Sequence, residues 1–297
     1  MNSRWTLNRF FGLAQLVFSL AVLAAASVAF AQTPADQQEH LQRMFSLNQG
    51  GTLHIENYKG AIRIIGTDAK QVTVTVDRKF EGSDKDRAWW MAQNHVNFSS
   101  DQGRLGIQVQ YPNTICNTYS DCENAHDDYT AWVELSIQVP RQVNVDIDGY
   151  KPEMNIADIQ GDIRIKSYKS PIDIASTTGA IRIDTYKDNI HLKNVAIRGH
   201  LYIKNEKADA VIEAKSLGDD VELETGKGSI VLRVPQGTGM DVDYSGGRNS
   251  SFHTDFNLNV ATGYPPESLR GKINNGGTHV SLRTVKGSVS IEKGLPI

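Results

Sequence analysis

From Val145 onward the chain repeats one short pattern, an apolar residue, any residue and a second apolar residue, at intervals of nine. The first members are Val145, Met154, Ile163, Ile172, Ile181 and Ile190. The pattern continues with small insertions at Leu201, Val211, Val221 and Ile230, and again at Val280 and Val289. Two apolar residues flanking an outward one is strand alternation, so each unit predicts a short β-strand with its apolar pair on one face. A second period of 18 lies over the first. Tyr150 with Lys151, Tyr168 with Lys169, and Tyr186 with Lys187 recur at that spacing, while the turns between them carry other residues, such as Ile159 to Gly161 and Thr177 to Gly179. Two unlike strands per repeat predict an all-β fold, a parallel β-helix (solenoid) of about 18-residue coils stacked at the strand spacing of ~4.8 Å. An antiparallel meander has similar strand intervals, but its tight hairpins want Asn-Gly or Asp-Gly loops. These turns instead read Ser167, Tyr168, Lys169, Ser170 and Thr177, Thr178, Gly179, Ala180. The predicted inward row includes Ile163, Ile165, Ile172, Ile174, Ile181, Ile183, Ile190 and Leu192. Each such side chain contributes ~1.5–3 kcal/mol on burial.

Upstream the pattern loosens, and residues 47–144 predict an irregular β and capping segment. Residues 47–82 hold two or three strands, and further strands are expected near Leu105 to Tyr111 and Ala131 to Val139. Between them Ser83 to Asn94 predicts one short helix, with Ser83 as N-cap, Asp84 and Asp86 in the first turn, and Trp89, Trp90 and Met91 as its bulk. A solenoid needs an atypical end to cover its open core, so the tryptophans are expected to pack a cap rather than to offer a sugar platform. Residues 32–46 are expected to be a linker, 145–297 the solenoid, and 47–297 one continuous domain.

The first 31 residues differ in kind. Arg4 and Arg9 precede an apolar run from Phe10 to Phe30 that ends in Ala29, Phe30 and Ala31, the pattern of a signal peptide cleaved before Gln32. An uncleaved membrane anchor is the other reading, since about 20 apolar residues can span a bilayer. Gln15 and Ser19 interrupt the run and favour cleavage, which leaves no transmembrane segment. Net charge is −3 for the whole chain and −5 without those residues, 29 basic against 34 acidic. A mildly acidic protein is not expected to bind nucleic acid. In an oxidising compartment, Cys116 and Cys122 are expected to form a disulfide. The alternative, a metal site drawing also on His126, Asp127 and Asp128, matches no common zinc spacing, so no metal is expected.

Gly50, Gly51, Thr52, Leu53, His54, Ile55, Glu56 and Asn57, the strand end Val139 and Pro140, and the closing Gly271 to Gly277 and Gly287 to Ile291 together resemble a bacterial family. These are the exported β-strand-repeat domains of unknown function, often labelled putative adhesins. The resemblance covers nearly all of the chain after the signal. It implies a right-handed single-stranded β-helix and a place in the envelope, in the periplasm or at the cell surface. It brings no catalytic residues. The insertion carrying Cys116 and Cys122 departs from the usual spacing.

No nucleophile elbow, metalloprotease helix or phosphate loop occurs, and the turns lack the aspartates of calcium-binding β-rolls, so no catalytic residue and no cofactor is expected. Two functions remain. The first is a non-catalytic, adhesin-like envelope protein that binds or braces through a regular surface. The second is a carbohydrate-active enzyme, a polysaccharide lyase or hydrolase, using the outward rows Asp146, Arg164 and Arg182 or Asp173 and His191. The most functional-looking feature is a corner where Tyr150, Lys151, Tyr168, Lys169, Tyr186 and Lys187 should stack, with Tyr58, Lys59, Lys227 and Lys286 in related positions. Such a track suits an acidic glycan or another envelope polyanion.

Overall fold

The computed structural model describes residues 39–112, 130–261, 265 and 267–294. The N-terminal part contains β1 (His40–Ser46), β2 (Thr52–Thr67), β3 (Gln71–Glu81), α1 (Asp84–Gln93), β4 (His95–Ser100), β5 (Arg104–Gln110) and β6 (Thr130–Pro140). Then come β7 (Asn144–Ala157), β8 (Ile163–Lys166), β9 (Ile172–Ala175), β10 (Thr178–Lys187), β11 (Ile190–Lys207) and β12 (Ala210–Ser216). The chain finishes with β13 (Asp220–Lys227), β14 (Ile230–Val234), β15 (Met240–Thr254), β16 (Leu258–Val260), β17 (Ser268–Ile273) and β18 (Thr278–Lys293). β1 lies inside the segment expected to be a linker. The signal residues, Cys116, Cys122 and the His126 to Asp128 alternative lie outside the described residues.

The periodicity reappears as register. Val145 pairs with Ile163 and Ile163 with Ile181, an offset of 18, and the offset grows to 20 from Ile181 to Leu201 to Val221. Each of these ladders is parallel. Leu53, Val145, Ile163, Ile181, Leu201, Val221, Val280 and Val242 therefore stack in one buried column. All eight residues of the predicted inward row are buried. At β12 the phase differs from expectation: the unbroken nine-residue step from Leu201 falls on Ala210, so Ala210 and Ile212 face the core and Val211 faces out.

The closure of the sheet corrects the expected right-handed parallel β-helix. β11, β12, β14, β18 and β13 pair in that circular order, every ladder parallel, so five strands close on themselves as a barrel. Long strands make this closure. β11 pairs with β12 through Ile190–Ala196 and with β13 through His200–Lys207, and β18 likewise pairs with both β13 and β14. Extra strands are added outside the ring, several of them antiparallel: β1 to β3, β3 to β6, β4 to β5, and β17 to both β15 and β16. A regular nine-residue spacing specifies parallel neighbours and an inward face. It does not specify which distant strand completes the circuit, and the 59-residue step from Val221 to Val280 skips β14 to β17.

α1 forms where expected. The Ser83 hydroxyl accepts the Asp86 N–H at 3.2 Å, satisfying one of the free donors of the first turn. Trp90 is buried between Phe80 (6.1 Å) and Tyr111 (6.5 Å), whereas Trp89 stays exposed. Among the described residues no helix is long and apolar enough to cross a membrane.

Candidate functional site

Where the long strands bend, two rows of side chains run across the sheet side by side. The first is aromatic. Ring centroids are 4.9 Å apart from Tyr58 to Tyr150, 5.0 Å from Tyr150 to Tyr168 and 4.9 Å from Tyr168 to Tyr186, with interplanar angles of 16°, 0° and 5°. Neighbouring strands usually rotate by about 20–25°. A stack of near-parallel rings is the kind of side-chain ladder that favours a flat sheet. Stacking also uses up the ring faces. The outer side of Tyr58 meets Tyr111 edge-on at 5.6 Å, and the outer face of Tyr186 is covered by Lys207 at 4.9 Å. The tyrosines are brought together as the sequence predicts, but no open face is left on which a sugar could lie.

The second row is cationic and longer than the sequence suggested. Lys59 pairs with Lys151, the Lys169 N–H bonds to the Tyr150 carbonyl, and Lys169 bridges to Lys187. Lys187 pairs with Lys207, Lys207 with Lys227, and Lys227 with Lys286. Seven lysines thus occupy one register position, six of them on strands and Lys169 at an isolated bridge between β8 and β9. Lys207 was missed because Glu206, not tyrosine, precedes it and the offset there is 20 rather than 18.

Four of the ammonium groups lie against aromatic rings. Lys59 lies 5.8 Å from the Trp132 centroid, Lys151 5.2 Å from Tyr150 and Lys169 5.3 Å from Tyr168. The Lys207 ammonium donates to the Tyr186 hydroxyl at 2.6 Å, which raises its pKa. Burial, and then the neighbouring charge of Lys151, lower that of Lys59. Among the described residues, no ion pair joins Lys59, Lys169, Lys187, Lys207, Lys227 or Lys286 to a carboxylate. The parallel row three residues upstream behaves differently: after Glu56, which stands opposite the like-charged Asp148, the residues Asp148, Lys166, Asp184, Lys204, Glu224 and Arg283 alternate in sign from strand to strand.

The outward rows Asp146, Arg164 and Arg182 and Asp173 and His191 are also assembled, in part as ion pairs. Arg164 Nη1 bonds Asp146 Oδ1 at 2.8 Å, and His191 Nδ1 lies 3.2 Å from Asp173 Oδ1. The Arg182 guanidinium sits 3.9 Å from the Tyr202 ring centroid. Asp173 and His191 line an open, mostly apolar groove of about 660 Å³ with Ile65, Ala157, Ala175 and Lys193. Among the described residues, His54, Asp146 and Asp148 could offer three ligand atoms to a metal. Both Asp146 oxygens are already engaged, Oδ2 by His54 Nδ1 at 2.9 Å and Oδ1 by Arg164, so the group is satisfied as a charge network.

No family model and no curated protein matches the chain. Among solved structures it is similar to a putative cell adhesion protein from Clostridium sporogenes, at 11% identity over 86% of this chain and 98% of that one, with a TM-score of 0.34. It is also similar to a putative adhesin from Bacteroides fragilis, at 10% identity over 86% and 97%, TM-score 0.34. A putative lipid binding protein from Parabacteroides distasonis matches at 12% identity over 87% and 98%, TM-score 0.28.

Proposed function

We propose that the protein is a non-catalytic component of the cell envelope that holds a repeating polyanion, an acidic glycan rather than a nucleic acid, along its lysine row. The observation that carries this reading is the contrast between two neighbouring rows. From Asp148 onward one alternates in sign; the other sets lysines opposite one another at seven successive register positions, an arrangement that costs stability unless a counter-charge is supplied. The leader-like N-terminus supports export, to the periplasm or the cell surface.

The triple change Lys151, Lys169 and Lys187 to Gln tests it, with binding of polygalacturonate measured at low and at moderate salt. Wild type should bind and weaken as salt rises, because exposed charges are screened within about 8 Å at physiological ionic strength. The variant should bind weakly at both. Equal affinity of the two proteins refutes the proposal.

A second reading, a carbohydrate-active enzyme, draws on Asp173 and His191 in the apolar groove. It requires turnover of a polysaccharide that Asp173→Asn abolishes with the fold intact. A screen of acidic polysaccharides showing no cleavage by wild type would remove it.

A further inference from the structure

The lysine row has a spacing, a direction and a length, and together these select among polyanions. Its pitch is measured by the tyrosines beneath it, 4.9–5.0 Å per strand. Beside it the same rings keep nearly one orientation, their planes turning by 16°, 0° and 5° over three successive steps. Along the sheet it runs six steps from Lys59 to Lys286, about 29 Å of contour at the usual strand spacing, the last two steps following strands of the closed ring.

We infer that the ligand is an anionic polysaccharide with one carboxylate on every sugar, laid across the strands so that each sugar meets one lysine. This rests on the polyanion reading above. A hexopyranose residue is about as long as one strand spacing, so such a chain presents carboxylates at the pitch of the ammonium groups. The long lysine arms reach either side of the polymer, which accommodates carboxylates that alternate in direction along it. A polymer carrying a carboxylate on every second sugar leaves every other lysine unmatched. A denser anion, such as polyphosphate, brings more charges than the row can neutralise. Because the tyrosine faces are occupied by one another, recognition is ionic and the row reads charge spacing rather than sugar stereochemistry.

The experiment is calorimetric titration of the purified protein with size-fractionated oligogalacturonates of four, eight and sixteen sugars. Hyaluronate of sixteen sugars and inorganic polyphosphate of eight phosphates serve as comparisons. Affinity should rise roughly a hundredfold from four to eight galacturonates, as further contacts become intramolecular, and then change by less than about threefold to sixteen. The sixteen-sugar hyaluronate, with the same eight carboxylates at twice the spacing, should bind at least about tenfold more weakly than the eight-sugar galacturonate. Equal binding of these two, or tighter binding of polyphosphate, overturns the spacing inference and leaves polyanion binding standing. Binding of none of the polymers overturns both. Lys169→Gln should weaken the octamer, and Lys204→Gln, on the alternating row, should not; equal effects overturn the assignment to this row.

Discussion

Asn205 sits on the bend of β11 inside the barrel wall, 1% exposed, between Thr185 on one neighbouring strand and Thr225 on the other. Its Oδ1 accepts the Thr225 hydroxyl at 2.7 Å, and its Nδ2 has no partner. Turning the amide end for end pairs Nδ2 and leaves Oδ1 orphaned instead, so one polar atom is unsatisfied either way. An unpaired buried donor costs about 1–3 kcal/mol. The same position holds Ser167 and Thr185, whose hydroxyls bond at 2.9 Å, and then Thr225 and Thr284 further along, so hydroxyl side chains suit the site. Asn205→Thr keeps an acceptor for Thr225, removes the orphan and adds a β-branched residue to a strand, a change worth up to ~1 kcal/mol in itself. Allowing for imperfect repacking, the variant should be more stable by about 1 kcal/mol, a rise of about 2–4 °C in melting temperature for a domain of this size. Urea unfolding of the two proteins, alongside Asn205→Ala as a truncation control, measures it. If Asn205→Thr proves less stable than wild type by 0.5 kcal/mol or more, the amide must be satisfied, and the reasoning fails.

Three further outcomes follow from the same region. Tyr111→Phe should cost about 1–3 kcal/mol in urea unfolding. Its hydroxyl donates to the Lys59 carbonyl and accepts the Val133 N–H at 3.1 Å, and burial keeps it neutral by pushing its pKa up. Gly228→Ala should lose 2 kcal/mol or more in the same assay, because φ is +150° there and an added Cβ lands on the Ala208 carbonyl oxygen. Glu56 is held below its ordinary pKa of 4.5 by the Gln108 amide and then by His54, so its contribution is present above about pH 4.5 and fades as pH falls through the lowered value. Glu56→Gln should therefore be less stable than wild type at pH 7 and indistinguishable from it well below the lowered pKa, as compared by urea midpoints at the two pH values.

Strand existence, inward faces and the helix were legible because each leaves a local mark. Alternating Ile163, Ile165 and Ile181, Ile183 needs no distant partner to be recognised, and neither does Ser83 before an acidic first turn. The tyrosine and lysine corner was legible for the same reason, since an exact 18-residue spacing brings Lys151, Lys169 and Lys187 into register. What failed was information stored at long range. The circuit closes through β18, whose partners on β13 and β14 are 59 residues away, and nothing local in Val280 or Val289 says which strands they meet. β1, β3 and β6 alternate as well as any parallel strand does, yet they pair antiparallel, and periodicity carries no sign of direction. Lys207 was lost because a two-residue insertion hid it from a search at fixed spacing.

The two charged rows bear on whether the lysines merely keep the surface soluble. Unit charges about 5 Å apart in water repel by about 0.8 kcal/mol, and physiological salt reduces this to about 0.4. Six adjacent lysine pairs then oppose folding by about 2–3 kcal/mol, less whatever the side chains recover by splaying apart. Cation–π contacts of ~0.5 kcal/mol at exposed sites return part of this for Lys59, Lys151, Lys169 and Lys207. Lys187, Lys227 and Lys286 have no such contact among the described residues. Solubility does not require this, because the alternating row from Asp148 to Arg283 is as polar and attracts along its whole length. Discouragement of edge pairing does not require it either, since Lys187, Lys207 and Lys227 lie on interior strands whose both neighbours are already bonded. A single anion placed against one lysine would relieve two of the six repulsions at most. A polymer relieves all six at once, and for that reason the row is better matched to a chain than to a small ion.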